Sequence, residues 1–205
     1  MQRTVTFYER FTKRIFDVIV GTMLLLVAAP LMLIVALAVR VTLGPGVLFR
    51  HKRVGRNGCT FTVYKFRTMN PDRRVTQLPF DGPADRRFTH KHPQDPRLTR
   101  LGRFLRRWSL DELPQLLNVV RGDMSLVGPR PELVAIVNGY SPWQHARHAV
   151  TPGMTGLWQV AARGSGLMHQ NTHIDLDYVR KVRFSTDLLI LLLTIPALLG
   201  ARRGH

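Results

Sequence analysis

Asp111 and Glu112 stand side by side in Ser109-Leu110-Asp111-Glu112, after Arg97, Arg100, Arg103, Arg106 and Arg107 and before Arg121 and Arg130. No acid interrupts the five leading arginines. Arginines this close repel one another, and a bound pyrophosphate relieves that repulsion because guanidinium forks match phosphate oxygens. A carboxylate that attacks phosphorus needs shielding from the phosphate's own charge, which basic side chains and a Mg²⁺ ion supply. One acid of such a pair can attack while its neighbour binds the metal. Taken alone, the pair has a plainer reading. Ser109 precedes Glu112 by the spacing of a capping box, which puts both acids in the first turn of a helix, where its positive end favours them. Pro114 also belongs near a helix start and can shift that boundary.

The elements around the pair follow from periodicity. Val47 to Val54 and Thr60 to Phe66 are rich in β-branched and aromatic residues and are separated by Gly55-Arg56-Asn57-Gly58, so a β-hairpin is expected. Asn70 to Gln94 is rich in Pro, Asp, Arg and Thr and reads as a long surface loop or lid. Leu98, Leu101, Leu105 and Trp108 recur at helical spacing with Arg100, Arg103 and Arg107 on another face, which predicts a basic amphipathic helix suited to a membrane surface. Leu188 to Leu199 is almost wholly apolar but only about 18 Å long as a helix, too short to span a bilayer.

Val18 to Val39 carries no charge and as a helix is about 33 Å long, close to the ~30 Å hydrocarbon thickness. Lys13 and Arg14 precede it, and Arg40, Arg50, His51, Lys52 and Arg53 follow it, so both flanks carry the cytoplasmic signature. Pro30 near its middle removes a helical N–H and clashes with the Leu26 carbonyl. A helical hairpin that enters and leaves on one face reconciles these features, with a plain kinked span as the alternative. Asp17 is costly if deep and cheap at headgroup level beside Arg14.

Lys and Arg outnumber Asp and Glu by 30 to 13, a formal charge of +17 over 205 residues, which points to a polyanionic partner without choosing among nucleic acid, anionic lipid and phosphorylated substrate. A nucleic-acid binder has no recognisable signature here, and the basic residues intermingle with apolar segments. A noncatalytic membrane scaffold is the other competing class. Cys59 is the only cysteine, so an internal disulfide and a cysteine-based zinc site are excluded. His169 and His173, four apart, lack a third ligand pattern and read as solvated or packed. Trp143 and Trp158 suit either a core or a membrane interface.

Several blocks in order closely resemble the bacterial sugar transferase family, the small monotopic phosphoglycosyl transferases. They are Lys13-Arg14-Ile15-Phe16-Asp17, Gly44-Pro45 with Phe49-Arg50, Lys65-Phe66-Arg67-Thr68-Met69, and Asp95-Pro96-Arg97-Leu98-Thr99-Arg100-Leu101-Gly102. They continue with Ser109-Leu110-Asp111-Glu112-Leu113-Pro114-Gln115 and Gly122-Asp123-Met124-Ser125-Leu126-Val127-Gly128-Pro129-Arg130-Pro131. Pro152-Gly153-Met154-Thr155-Gly156-Leu157-Trp158-Gln159-Val160 and Asp175-Leu176-Asp177-Tyr178 complete the set. One departure is Ala29-Pro30, where many members carry Ser-Pro at the break of the re-entrant helix; the hydroxyl that satisfies a freed backbone group is absent. Larger members carry a further multi-span N-terminal region, and the chain resembles the compact catalytic form.

The resemblance implies transfer of a sugar 1-phosphate from a nucleotide sugar, usually a UDP-sugar, to polyprenyl phosphate, with release of a nucleoside monophosphate. It makes Asp111 the nucleophile, with Glu112 assisting through Mg²⁺, and both acids candidate metal ligands. Arg130 then contacts the nucleotide or its phosphate. Lys65 and Arg67 are anion-binding candidates by the same likeness, and Asp175 is a family acid without an assigned role. Arg97 and Arg106, from the arginine run, complete the phosphate-binding set. The expected fold is α+β: an N-terminal re-entrant helix-break-helix (1–42), a small, mainly helical catalytic domain with a short β-hairpin (43–165), and a C-terminal membrane-proximal helical segment (166–205), with amphipathic helices at the interface. Expected partners are the nucleotide-sugar donor, the polyprenyl phosphate acceptor and membrane lipids, without nucleic acid. A homodimer is compatible with this reading. The expected location is the bacterial inner membrane, with the catalytic part on the cytoplasmic face.

Overall fold

The computed structural model describes residues 5–70, 97–161 and 168–198, and all structural statements concern these. The stretch read as a lid, apart from Asn70, lies outside them. The chain is mainly helical with two small sheets.

A π-helical turn, Tyr8–Thr12, leads into α1, Lys13–Leu43, the one helix long and apolar enough to cross a membrane. The expected helix-break-helix is a single helical element with Pro30 inside it. A proline deletes one donor, and the apolar turns on either side carry the helix past it.

Both ends of α1 are fastened to the same body. At the first end, Lys13 Nζ donates to the Val127 carbonyl (3.0 Å) and pairs with Asp187, whose carboxylate also accepts from Tyr8 Oη and Tyr178 Oη, each at 2.8 Å. Arg14 donates to the Val119 and Val120 carbonyls at 2.6 and 2.8 Å. Asp17 is buried in protein and accepts the Leu126 N–H at 3.0 Å. At the other end, Val35 and Val39 pack with Phe66 and Leu105, and Arg67 donates to the carbonyls of Leu43, Gly44 and Pro45. Between them Val20, Leu25, Ala28 and Met32 pack against the two cores, while the other face of the helix is exposed and apolar, with Val27 81% and Leu33 72% exposed.

The hairpin forms as expected. Strands β1 (Leu48–Val54) and β2 (Thr60–Phe66) pair antiparallel from Leu48↔Phe66 to Val54↔Thr60. Asn57 and Gly58 take positive φ (55° and 77°) in the connection, which is why an Asn-Gly pair stands there. The amphipathic helix is α2, Arg100–Arg107, capped by Thr99, whose side chain accepts from the Gly102 N–H at 2.9 Å. A 3₁₀ turn, Leu110–Glu112, and α3, Gln115–Arg121, follow. Strand β3 (Ser125–Val127) leads to β4 (Glu132–Leu133), which pairs antiparallel with β1 and completes the sheet β2-β1-β4. After α4 (Val134–Val137) and a 3₁₀ segment, Pro142–Ala149, β5 (Gly153–Thr155) runs parallel to β3. Helices α5 (Leu157–Ala161), α6 (Thr172–Arg180) and α7 (Phe184–Leu198) complete the described chain.

The main core gathers Val63, Leu116, Val119, Met124, Val127 and Tyr178 with neighbours from α6 and α7. Leu113, just after the acid pair, packs against this core and against the smaller one beside the second half of α1. Trp158 is buried, whereas Trp143 is exposed. Beside the site, Gly128 and Gly153 bring two backbones together: a Cβ on Gly153 would lie 2.1 Å from the Gly128 nitrogen.

Candidate active site

The capping box foreseen at Ser109 does not form. Ser109 has φ 54°, its side chain caps nothing, and the acids lie in the 3₁₀ turn ahead of α3. Pro114 occupies the N-cap of α3, so the helix begins beyond the acids. A left-handed residue followed by a tight turn reverses the chain sharply, which brings Asp111 in from the surface; it is only 8% exposed.

Glu112 is clamped. Its Oε1 accepts from Lys65 Nζ (2.7 Å) and Arg130 Nη2 (2.6 Å), and its Oε2 from Arg130 Nη1 (3.2 Å). Burial alone would push the Glu112 carboxyl up, but the Arg130 and Lys65 charges beside it hold it well below the usual range. For Asp111 the balance is reversed. Burial, then the negative charge of Glu112, push its carboxyl up to about 6 against the opposing pull of Lys65, Arg106 and Arg130. Among the described residues no hydrogen bond reaches the Asp111 carboxylate. The hairpin delivers Lys65, the turn delivers both acids, and the segment between β3 and β4 delivers Arg130.

The other candidates are placed differently. Arg106 Nε donates to Thr68 Oγ1 (3.0 Å), and its charge acts on Asp111. Arg67 is engaged by the carbonyls at the end of α1. The Arg97 carbonyl accepts from the Asn70 N–H at 2.9 Å. Asp175 is buried against Arg147, at 2.6 Å.

Two neighbouring carboxylates suit a hard cation such as Mg²⁺, which holds one or two protein oxygens and fills its shell with water and substrate phosphate. Asp111 offers open oxygens, whereas both Glu112 oxygens are already held by cations. Among the described residues no three His, Cys, Asp or Glu side chains converge to form a cage. The donor set therefore fits an ion that arrives with a diphosphate. An open apolar groove of about 440 Å³ is lined by Phe104, Trp108, Leu198 and Leu110, the residue that precedes Asp111 in the chain.

The family model described as bacterial sugar transferase matches residues 8–201. The chain belongs to the bacterial sugar transferase family, and it is a transferase. It is 40% identical over 199 residues to an exopolysaccharide production protein, ExoY, of Sinorhizobium fredii, covering 95% of this chain and 88% of that one. It is 43% identical over 201 residues to a UDP-glucose:undecaprenyl-phosphate glucose-1-phosphate transferase of Caulobacter vibrioides, covering 94% and 72%. An undecaprenyl-phosphate galactose phosphotransferase of Salmonella typhimurium is 40% identical over 196 residues, covering 93% of this chain and 41% of that protein.

Within this sugar transferase, sequence reasoning missed Arg147 as a partner of the site. It is 2% exposed and reaches Asp175, Tyr140 and the Arg130 carbonyl. A single arginine between His145 and His148 belongs to no periodic face, and its only sequence cue is the unassigned acid at Asp175. Beside it, burial and then the Arg147 charge push His148 down to about 4, so this histidine is neutral at physiological pH.

Proposed function

We propose that this chain transfers a sugar 1-phosphate from a nucleotide diphosphate sugar, a UDP-sugar, to polyprenyl phosphate at the cytoplasmic face of the bacterial inner membrane, through a covalent intermediate on Asp111. The observation that carries the reading is the unequal pair: Glu112 neutralised by Lys65 and Arg130, and Asp111 beside it with its carboxylate open. An Asp111 oxygen attacks the sugar-bearing phosphorus, and the bond from that phosphorus to the nucleoside monophosphate breaks. A phosphate oxygen of the polyprenyl acceptor then attacks the same phosphorus and returns Asp111 as carboxylate. Arg130, Lys65 and Arg106 shield the approach of one anion to another. A Mg²⁺ ion would be held chiefly by the open Asp111 oxygens, with Glu112 beside it, and would supply further charge neutralisation when bound.

The relatives' printed activities support the donor and acceptor classes. Supporting the acceptor's side are the apolar groove beside Leu110, roomy enough for part of an isoprenoid chain, and the exposed apolar face of α1. A straight helix the length of α1 is about 46 Å, and a bilayer-spanning one leaves its ends on opposite sides of ~30 Å of hydrocarbon. One small body grips both ends of α1, which favours entry and exit on one face. Such enzymes begin a membrane glycoconjugate or exopolysaccharide.

The test mixes enzyme with donor alone. Wild type releases nucleoside monophosphate in stoichiometric amount and gains the mass of the sugar phosphate; Asp111→Asn does neither. An adduct on Asp111→Asn would reassign the nucleophile, and active enzyme that never releases nucleotide without acceptor would point to direct transfer.

A further inference from the structure

Pro129-Arg130-Pro131 contains a single backbone N–H, because proline has none. The segment is instead held by its carbonyls, one from each of three directions. The Pro129 carbonyl accepts from the Gly153 N–H (2.9 Å), the Arg130 carbonyl from Arg147 Nη2 (2.8 Å), and the Pro131 carbonyl from Arg53 Nη1 (3.4 Å). The middle one belongs to the residue whose guanidinium clamps Glu112.

Arg147 has little freedom of its own. Its Nε and Nη2 donate to Asp175 Oδ2 at 3.1 and 2.6 Å, and its Nη1 to Tyr140 Oη at 2.9 Å. Both charged side chains are 1% exposed. A buried ion pair is a poor device for stability alone, since a well-packed apolar pair of the same volume does as well or better. A planar fork with donors aimed at three partners fixes an orientation, which neither an apolar side chain nor lysine reproduces.

We propose that Arg147, braced by Asp175, is a positioning residue for Arg130: by holding the Arg130 carbonyl it sets the backbone from which that guanidinium reaches Glu112 and the donor's phosphates. This rests on the donor step proposed above. It gives Asp175, and the arginine near the end of the 3₁₀ segment, a role at one remove from the chemistry.

The test is a double-mutant cycle on donor-only release of nucleoside monophosphate, followed in a single turnover with the full-length membrane protein. Arg147→Lys and Asp175→Asn should each slow this step roughly 10- to 100-fold, by analogy with the loss when the hydrogen-bond partner behind a metal ligand is removed. Repeated in an Arg130→Gln background, the same changes should cost less than about twofold, because the residue they position is already gone. Asp177→Asn, on the same helix as Asp175 and half exposed, should change nothing. Equal losses in both backgrounds would reduce Arg147 to a fold-stabilising residue, and a full-rate Arg147→Lys enzyme would make the brace idle. If the two charge variants fail to accumulate, Tyr140→Phe removes one guanidinium partner without burying a lone charge and should show the same dependence on Arg130 at smaller amplitude. A wild type that releases no nucleotide from any donor would sink the functional reading itself, a result distinct from a failed cycle in active enzyme.

Discussion

Arg130 Nη2 lies 2.6 Å from Glu112 Oε1 and Arg130 Nη1 lies 3.2 Å from Oε2, so the two side chains meet fork to fork. Lys65 adds a second cation on Oε1 at 2.7 Å. One acid of the pair is thereby kept ionised and immobile, while its neighbour keeps open oxygens and a raised proton affinity. Adjacent residues of nearly the same chemistry are separated into a fixed charge and a group able to react.

The pH behaviour of Asp111 follows from that separation. Its folded pKa of about 6 lies above the unfolded value, so its contribution to stability is fully present below about pH 4 and is lost as pH rises through 6. The ionised nucleophile is therefore held at a cost to the fold. In chelated, substrate-free protein, Asp111→Asn should melt higher than wild type at pH 8, and the gap should narrow as pH falls through 6 and close only below about pH 4. A gap that persists unchanged at pH 5 would place the raised affinity elsewhere.

Arg130→Ala removes both hydrogen bonds to Glu112 and leaves a half-buried carboxylate with Lys65 alone. A charge-assisted bond of this kind is worth about 1.5–3 kcal/mol, so donor turnover should fall by at least tenfold. Arg130→Lys should recover only a small part, since an ammonium cannot grip two oxygens at once. Membrane attachment should hardly change, because one basic residue near anionic lipid contributes only about 1 kcal/mol. Flotation with vesicles alongside donor kinetics separates the two effects.

Sidedness is open to labelling. In a Cys59→Ser background, cysteines placed at Arg10 and at Thr42 should both react with an impermeant maleimide from the cytoplasmic side of inverted vesicles. Reaction from opposite sides would establish a spanning helix. Pro30→Leu restores the missing N–H and removes the ring clash, and should move part of the population toward a span.

Chelation should abolish turnover, and Mg²⁺ should restore it more effectively than Ca²⁺, because one or two carboxylates plus substrate phosphate suit Mg²⁺, whereas Ca²⁺ prefers six to eight oxygen ligands. Mg²⁺ should also displace the Asp111 titration below about 6, as a cation favours the ionised form. Full turnover in exhaustive chelator would remove the metal from the mechanism.

The readability of these features from sequence depended on whether the controlling interaction was local. The Asn57-Gly58 turn and the Leu101–Leu105 spacing of α2 are set by residues a few positions apart, and both stand where the pattern puts them. Ser109 was misread because a capping box and a left-handed reversal share the same serine; Pro114, by starting α3 later, decided between them. Asp17 and Arg147 were invisible for another reason. Their partners, Leu126 and Asp175, lie far along the chain, and no periodicity announces a buried polar contact at that range.

The pairing of Lys13 with Asp187 sets a timetable for biosynthesis. The partners are 174 residues apart, and ribosomes add about 5–20 residues per second, so roughly ten to thirty seconds pass between their appearances. Throughout that interval Lys13 lacks its carboxylate partner, and in an α1 that enters lipid an unpaired ammonium would resist being drawn below the headgroups. Helix α7 thus locks α1 down, and a nascent chain released before Asp187 emerges carries α1 without this fastening.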